Sequence, residues 1–137
     1  MRPRALDERG SVTAFVAVIA LGLVMVAGMA YDGGQIVVAQ ATARDIASSA
    51  ARAGAQEIDI DHLRSTGESL LDPERAMAAA QEFVVRAGFT GTAQVNGDSV
   101  TVTVRIRQPM RILPLPDRIV AATDTSTALQ QARGVAP

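Results

Sequence analysis

The stretch "ERGSVTAFVAVIALGLVMVAGMAYDGG", from Glu8 to Gly34, decides the architecture of the chain. No charged residue occurs between Ser11 and Tyr31. At a rise of about 1.5 Å per residue, a helix of this length spans about 30 Å, the thickness of a bilayer's hydrocarbon core. The pattern predicts a transmembrane helix over residues 11–31, after a leader-like segment of residues 1–10. A buried helix of a soluble core is disfavoured because such helices rarely lack charge over this length.

The flanks of the apolar stretch predict its direction. Arg2, Arg4 and Arg9 precede it, whereas the first basic residue after it is Arg44. By the positive-inside rule, the N-terminus lies in the cytoplasm and residues 32–137 form an extracytoplasmic domain. The sequence therefore predicts a single-pass protein of the cytoplasmic membrane.

A cleavable signal peptide is the alternative interpretation. Gly28 and Ala30, on either side of Met29, are small residues at the positions that signal peptidase accepts, which would give a cut between Ala30 and Tyr31. The apolar run before that point is at or beyond the usual limit of about 7–15 residues for such a signal. Retention is favoured, and both alternatives stay open.

The apolar run ends at a step formed by Asp32, Gly33 and Gly34, where the helix is expected to bend, or to end and restart. An alanine-rich helix follows, with small or apolar residues at heptad-like spacing. This predicted packing face consists of Ile36, Ala39, Ala43, Ile46, Ala50 and Ala53. It either covers the domain's own sheet or packs against other subunits. Over the first two turns of this face neither interpretation is favoured. Further along the helix, packing against the domain's own sheet is favoured.

The remainder predicts a loop, a helix and a small sheet. Residues 58–71 have the composition of a loop. Asp72, Pro73 and Gly88 are typical of the N-cap, first turn and stop of a helix. Period-two alternation in "VTVTVRIR", an Asn-Gly hairpin signal before it and an extended pattern over 118–132 predict three antiparallel strands. The expected fold class is α+β.

Residues that could carry chemistry are few. The net charge of −1 gives no case for nucleic acid, and the absence of cysteine excludes disulfides and thiolate catalysis. His62 follows three acidic residues in a polar segment without the rigid frame that a metal site needs. No catalytic motif, cofactor site or metal site is predicted, and an enzyme is not expected.

A basic stripe is predicted along the strand and the segment after it, at Arg105, Arg107 and Arg111. Charges on a polar strand face commonly protect a sheet from aggregation, and this interpretation is favoured. Binding to an anionic surface polymer is the alternative.

The N-terminal segment resembles the TadE/TadG-like proteins of tight-adherence (Flp-type) pilus systems. The resemblance rests on the pair Arg9-Gly10, the long apolar helix, the Asp32-x-Gly34 step and the alanine-rich stretch up to Ala55. It extends over roughly residues 8–57. It implies a pilin-like fold and a structural or accessory subunit with other pilin-like or Tad-type subunits as partners, in homo- or hetero-oligomers.

The resemblance also implies a processing site. In such systems a prepilin peptidase cuts after a glycine on the cytoplasmic side, and Gly10-Ser11 is the candidate here. The fifth residue after that glycine, commonly glutamate in pilins, is Phe15. This departure favours a minor or accessory subunit over a major pilin. The alternative function is a secreted or membrane-anchored module that binds a cell-envelope ligand.

Overall fold

The computed structural model describes residues 8–67 and 69–128, and side chains from residue 12 onward. Three helices precede three strands, which confirms the α+β class. The elements are α1 (Glu8–Ala55), α2 (Ile60–Thr66), α3 (Pro73–Arg86), β1 (Thr90–Asn96), β2 (Ser99–Gln108) and β3 (Arg118–Thr127). The leader residues 1–7 and the end of the predicted third strand, 129–132, lie outside the described residues.

The strands form an antiparallel sheet in the order β1-β2-β3. The hairpin between β1 and β2 pairs Asn96 with Ser99, so its two turn residues are Gly97 and Asp98, one position beyond the predicted Asn-Gly pair. A longer connection, residues 109–117, joins β2 to β3 and contains three prolines. We call it the proline loop.

The core lies between one face of this sheet and the helices α1 and α3. Val100, Val102 and Val104 are fully buried on β2, as the period-two pattern predicts. Burial of each valine contributes about 1.5–3 kcal/mol. Most of the facing helix residues are alanines, including Ala43 and Ala80. Small side chains therefore allow the helices to lie close to the sheet.

Helix α1 is continuous from Glu8 to Ala55, so the expected end and restart at Asp32, Gly33 and Gly34 is wrong. Two glycines cost about 1 kcal/mol each in a helix interior. Helix propagation is cooperative, and tertiary contacts fix the turns on both sides of the glycines. Asp32 contacts the proline loop, and Gln40 donates from Nε2 to the Ala121 carbonyl oxygen at 3.3 Å.

The loop predicted over residues 58–71 contains the short helix α2 instead. The Asp59 carboxylate accepts from the backbone N–H groups of Asp61 and His62, and Gly67 ends the helix at a φ of 75°. Such a cap satisfies otherwise unpaired N–H groups and compensates for the weak helical pattern. Helix α3 begins as predicted, with Asp72 as N-cap and Pro73 at its first position.

Candidate functional site

Residues 12–27 of α1 are exposed and carry no charge, which distinguishes this segment from a core helix. Val18 and Leu23 are 70% and 66% exposed. The most apolar 18-residue window of the helix has a mean hydropathy of 2.5, and only 6% of it is buried. Length and composition are those of a membrane-crossing helix, and the low burial disfavours a soluble core helix.

The second part of α1 covers the sheet. Of the predicted packing face, Ala39, Ala43 and Ala50 are buried, while Ile36, Ile46 and Ala53 are only half-buried. The buried stripe continues instead through Ala47, Ala51 and Gly54. A straight α-helix has 3.6 residues per turn and drifts by about 20° per heptad from a 3.5-residue repeat. Toward the end of α1 the buried positions therefore lie one residue later than the heptad pattern predicts.

Asp32 lies at the junction between these two parts and is 2% exposed. Its carboxylate accepts three backbone hydrogen bonds from the proline loop. The N–H of Arg111 donates to Oδ1 at 3.1 Å, and those of Ile112 and Leu113 donate to Oδ2 at 3.1 and 2.9 Å. A single carboxylate thus fixes the loop to α1.

These donors lower the pKa of Asp32. The N–H of Leu113 makes the largest contribution, desolvation opposes it, and the N–H groups of Arg111 and Ile112 lower the pKa further. Because the charged form is favoured in the folded state, the carboxylate stays ionised at neutral pH. We expect the attachment to be present above the ordinary aspartate pKa and lost as the pH falls through the lowered value.

A glycine one turn before Asp32 completes the junction. A Cβ placed on Gly28 would lie 2.7 Å from Cγ2 of Ile112 and 3.6 Å from Cδ2 of Leu113. Only a residue without a side chain lets the loop lie this close to the helix. Sequence reasoning assigned Gly28 to a signal-peptidase motif and Asp32 to a helix step, and it missed this junction. The signals were a carboxylate directly after the charge-free run and a proline-rich connection.

Substitution of Gly28 by leucine is expected to displace the proline loop. The larger side chain occupies the space of Ile112, which costs roughly 1–2 kcal/mol of packing between the loop and α1. Because the loop then detaches more often, we expect trypsin to cleave the full-length protein after Arg111 about tenfold faster. Gly22→Leu is the matched control, since a Cβ on Gly22 meets nothing within 4 Å. Equal cleavage of both variants would contradict the close contact.

The other predicted residues are scattered. Gly10 and Ser11 lie in the first turn of α1. Arg105 and Arg107 are exposed on β2, and Arg107 pairs with Asp117 at 3.8 Å, whereas Arg111 lies in the proline loop. Among the described residues, no group of three His, Cys, Asp or Glu side chains is placed to hold a metal ion.

Comparison with known proteins identifies the N-terminal segment. Residues 10–57, about a third of the chain, match the family model Tad, described as "Putative Flp pilus-assembly TadE/G-like". No curated protein and no solved structure gives a significant match. The matched range begins at Gly10, the first residue of the candidate processing site, and ends two residues beyond the end of α1. Residues 10–57 therefore match the family model of Flp pilus-assembly TadE/G-like proteins, which confirms the resemblance seen in the sequence.

Proposed function

We propose that the protein is a non-enzymatic, membrane-anchored subunit of a tight-adherence-type pilus or a related secretion apparatus. The observation that carries the proposal is the division of α1 within the family segment. Residues 12–27 are uncharged and exposed, whereas from Ala39 onward one face of the helix is buried against the protein's own sheet. The first part needs an apolar environment from outside the chain, and the second part holds the folded domain to it.

The anchor is residues 11–31, with residues 1–10 in the cytoplasm and the domain of residues 32–137 outside. The distribution of arginine on either side of the anchor supports this orientation. The packing of the domain onto α1 agrees with it, because the sheet and α3 cover only the part of the helix after Asp32. In this arrangement the folded domain lies outside the bilayer and meets it only at the outer surface.

A minor or accessory role follows from the start of the helix. A glutamate at the fifth position after a processed glycine can pair with the new amino terminus of a neighbouring subunit inside a filament. Phe15 holds that position and is 66% exposed. An unpaired amino terminus is costly in an apolar filament interior. We therefore propose incorporation at few sites, beside other pilin-like subunits.

The exposed apolar surface of α1 continues just beyond the anchor and provides a contact for such partners. Val37 and Val38 are 69% and 60% exposed, although they lie outside the predicted span. Contact with a neighbouring helix would remove this surface from water, a favourable change of roughly 25 cal/mol for each Å² buried. Homo- or hetero-oligomers with Tad-type subunits are proposed on this basis.

The mass of the mature N-terminus in the native host tests this proposal. We expect a chain that begins at Ser11, as prepilin-type processing requires, and that remains in the membrane fraction. Gly10→Val should leave the chain uncut, because the peptidase needs a glycine before the scissile bond. An uncut wild-type chain would contradict processing but retain the anchor. A chain beginning at Tyr31 would overturn the anchor and favour a secreted binding module.

A further inference from the structure

The proline loop presents apolar side chains to solvent beside the predicted outer end of the anchor. Ile112 and Leu115 are 48% and 51% exposed, and Pro114 and Pro116 are exposed as well. These residues form one short tip, residues 112–116. An exposed apolar tip of this kind needs a covering surface.

We propose that this tip inserts into the outer interfacial layer of the bilayer that α1 crosses, so that the protein contacts lipid through a second element besides its anchor. The inference rests on the proposed anchoring by residues 11–31. The proposed partner of the tip is lipid. The experiment below distinguishes this contact from a contact with another protein.

The depth of the tip follows from its attachment to α1. Three hydrogen bonds hold the loop at Asp32, and the side chain of Ile112 reaches one turn further toward the N-terminus, to Gly28. Gly28 lies three residues inside the end of the charge-free stretch at Tyr31, or roughly 4.5 Å along the helix axis. If residues 11–31 span the bilayer, Ile112 lies at the level of the lipid interface.

The backbone N–H groups of the tip are suited to that environment. Irregular backbone is tolerated near lipid only where its polar groups are satisfied by the protein. The N–H groups of Ile112 and Leu113 donate to Asp32, and the N–H of Leu115 donates to the Leu113 carbonyl oxygen at 2.8 Å. Pro114 and Pro116 have no N–H group. From residue 112 to residue 116, every backbone N–H group that exists is therefore hydrogen-bonded within the protein.

Charged residues flank the tip at both ends. Arg111 precedes it and is exposed, and Asp117 and Arg118 follow it. Long arginine side chains extend toward the headgroup region while the neighbouring apolar residues enter the acyl boundary. The arrangement limits insertion to the five residues of the tip.

Single-tryptophan variants of the full-length protein test the inference, because the natural chain contains no tryptophan. Leu115→Trp places the probe in the tip, and Leu21→Trp places it in the middle of the anchor. Ile60→Trp is the control for a probe exposed to water. Ile60 is 50% exposed, like Leu115, but follows the far end of α1. Each variant is reconstituted at low protein density in vesicles of brominated phosphatidylcholine.

We expect Leu115→Trp to emit at shorter wavelength than Ile60→Trp and to lose most of its fluorescence to lipids brominated near the headgroup end of the chain. Leu21→Trp should be quenched most by bromine near the end of the acyl chain, and Ile60→Trp by neither. Because tryptophan itself favours the interface, Leu115→Cys provides a second measurement. Its thiol should react with a water-soluble maleimide much more slowly than that of Ile60→Cys.

The outcomes separate this inference from the proposed anchor. Quenching of Leu21→Trp without quenching of Leu115→Trp would overturn the lipid contact and leave the anchor intact. Blue-shifted emission from Leu115→Trp without lipid quenching would assign the tip to a protein contact, which also overturns it. If Leu21→Trp is not quenched, the anchor fails and the lipid contact fails with it.

Discussion

Replacing Gly54 by alanine is expected to lower the free energy of unfolding by about 1–2 kcal/mol, although the same substitution normally stabilises a helix by about 1 kcal/mol. The reason is the point at which α1 crosses α3 and β2. A Cβ on Gly54 would lie 2.7 Å from the Ala76 carbonyl oxygen, 3.0 Å from Cγ1 of Val100 and 3.3 Å from the Ala80 Cβ.

The nearest of these atoms belongs to the main chain of α3, so no side-chain rotation relieves the contact. Helix α3 has to move away from α1, and its buried alanines then lose contacts with the sheet. Overpacking of this kind costs about 1–3 kcal/mol and exceeds the gain in helix propensity.

Gly34→Ala in the same helix is the matched control, because a Cβ there meets nothing within 4 Å. It should raise the free energy of unfolding by up to about 1 kcal/mol through helix propensity alone. The measurement is urea unfolding of the full-length protein in detergent micelles, followed by circular dichroism. A stabilising Gly54→Ala would show that the crossing has room for a methyl group.

Gly54 also shows which parts of the packing follow from the sequence. The alanine-rich composition and the alternation of Val100, Val102 and Val104 predict a helix that covers a sheet. Which residues of α1 face that sheet depends on how a straight helix drifts over several turns. The heptad pattern places Ile46 and Ala53 inward. In the structure both are half-buried, Ile46 packs against the core, and the buried positions are Ala47 and Gly54.

The junction at Asp32 was less accessible to prediction for a different reason. Its partners, the N–H groups of residues 111–113, lie about 80 positions away along the chain. Backbone donors carry no residue-specific signal, so the sequence does not reveal that they meet this carboxylate. Local propensity at Gly33 and Gly34 instead predicted a bend or an end and restart of the helix, because it contains no information on tertiary contacts. The exposed apolar half of α1 needed no such information, since length and lack of charge predict it directly.

Asp32→Asn is expected to release the proline loop from α1 while the rest of the domain stays folded. Both carboxylate oxygens accept hydrogen bonds, one from Arg111 and the other from Ile112 and Leu113. Asparagine has the same size but only one acceptor oxygen, and its amide group would point a donor at a backbone donor. The protection of the Ile112 and Leu113 amides from hydrogen exchange should fall about tenfold or more.

Asp45→Asn is the control, because it removes a carboxylate from an exposed position on the same helix. Amide exchange in the proline loop should then match the wild type, and exchange in β2 should be unchanged in both variants. Lowering the pH should reproduce the Asp32→Asn result in the wild type. The pKa of Asp32 is lowered in the folded state, so protection, corrected for intrinsic exchange, persists below the ordinary aspartate pKa and falls only as the carboxylate protonates. Full protection of the loop amides in Asp32→Asn would mean that packing against Gly28, and not the carboxylate, holds the loop on α1.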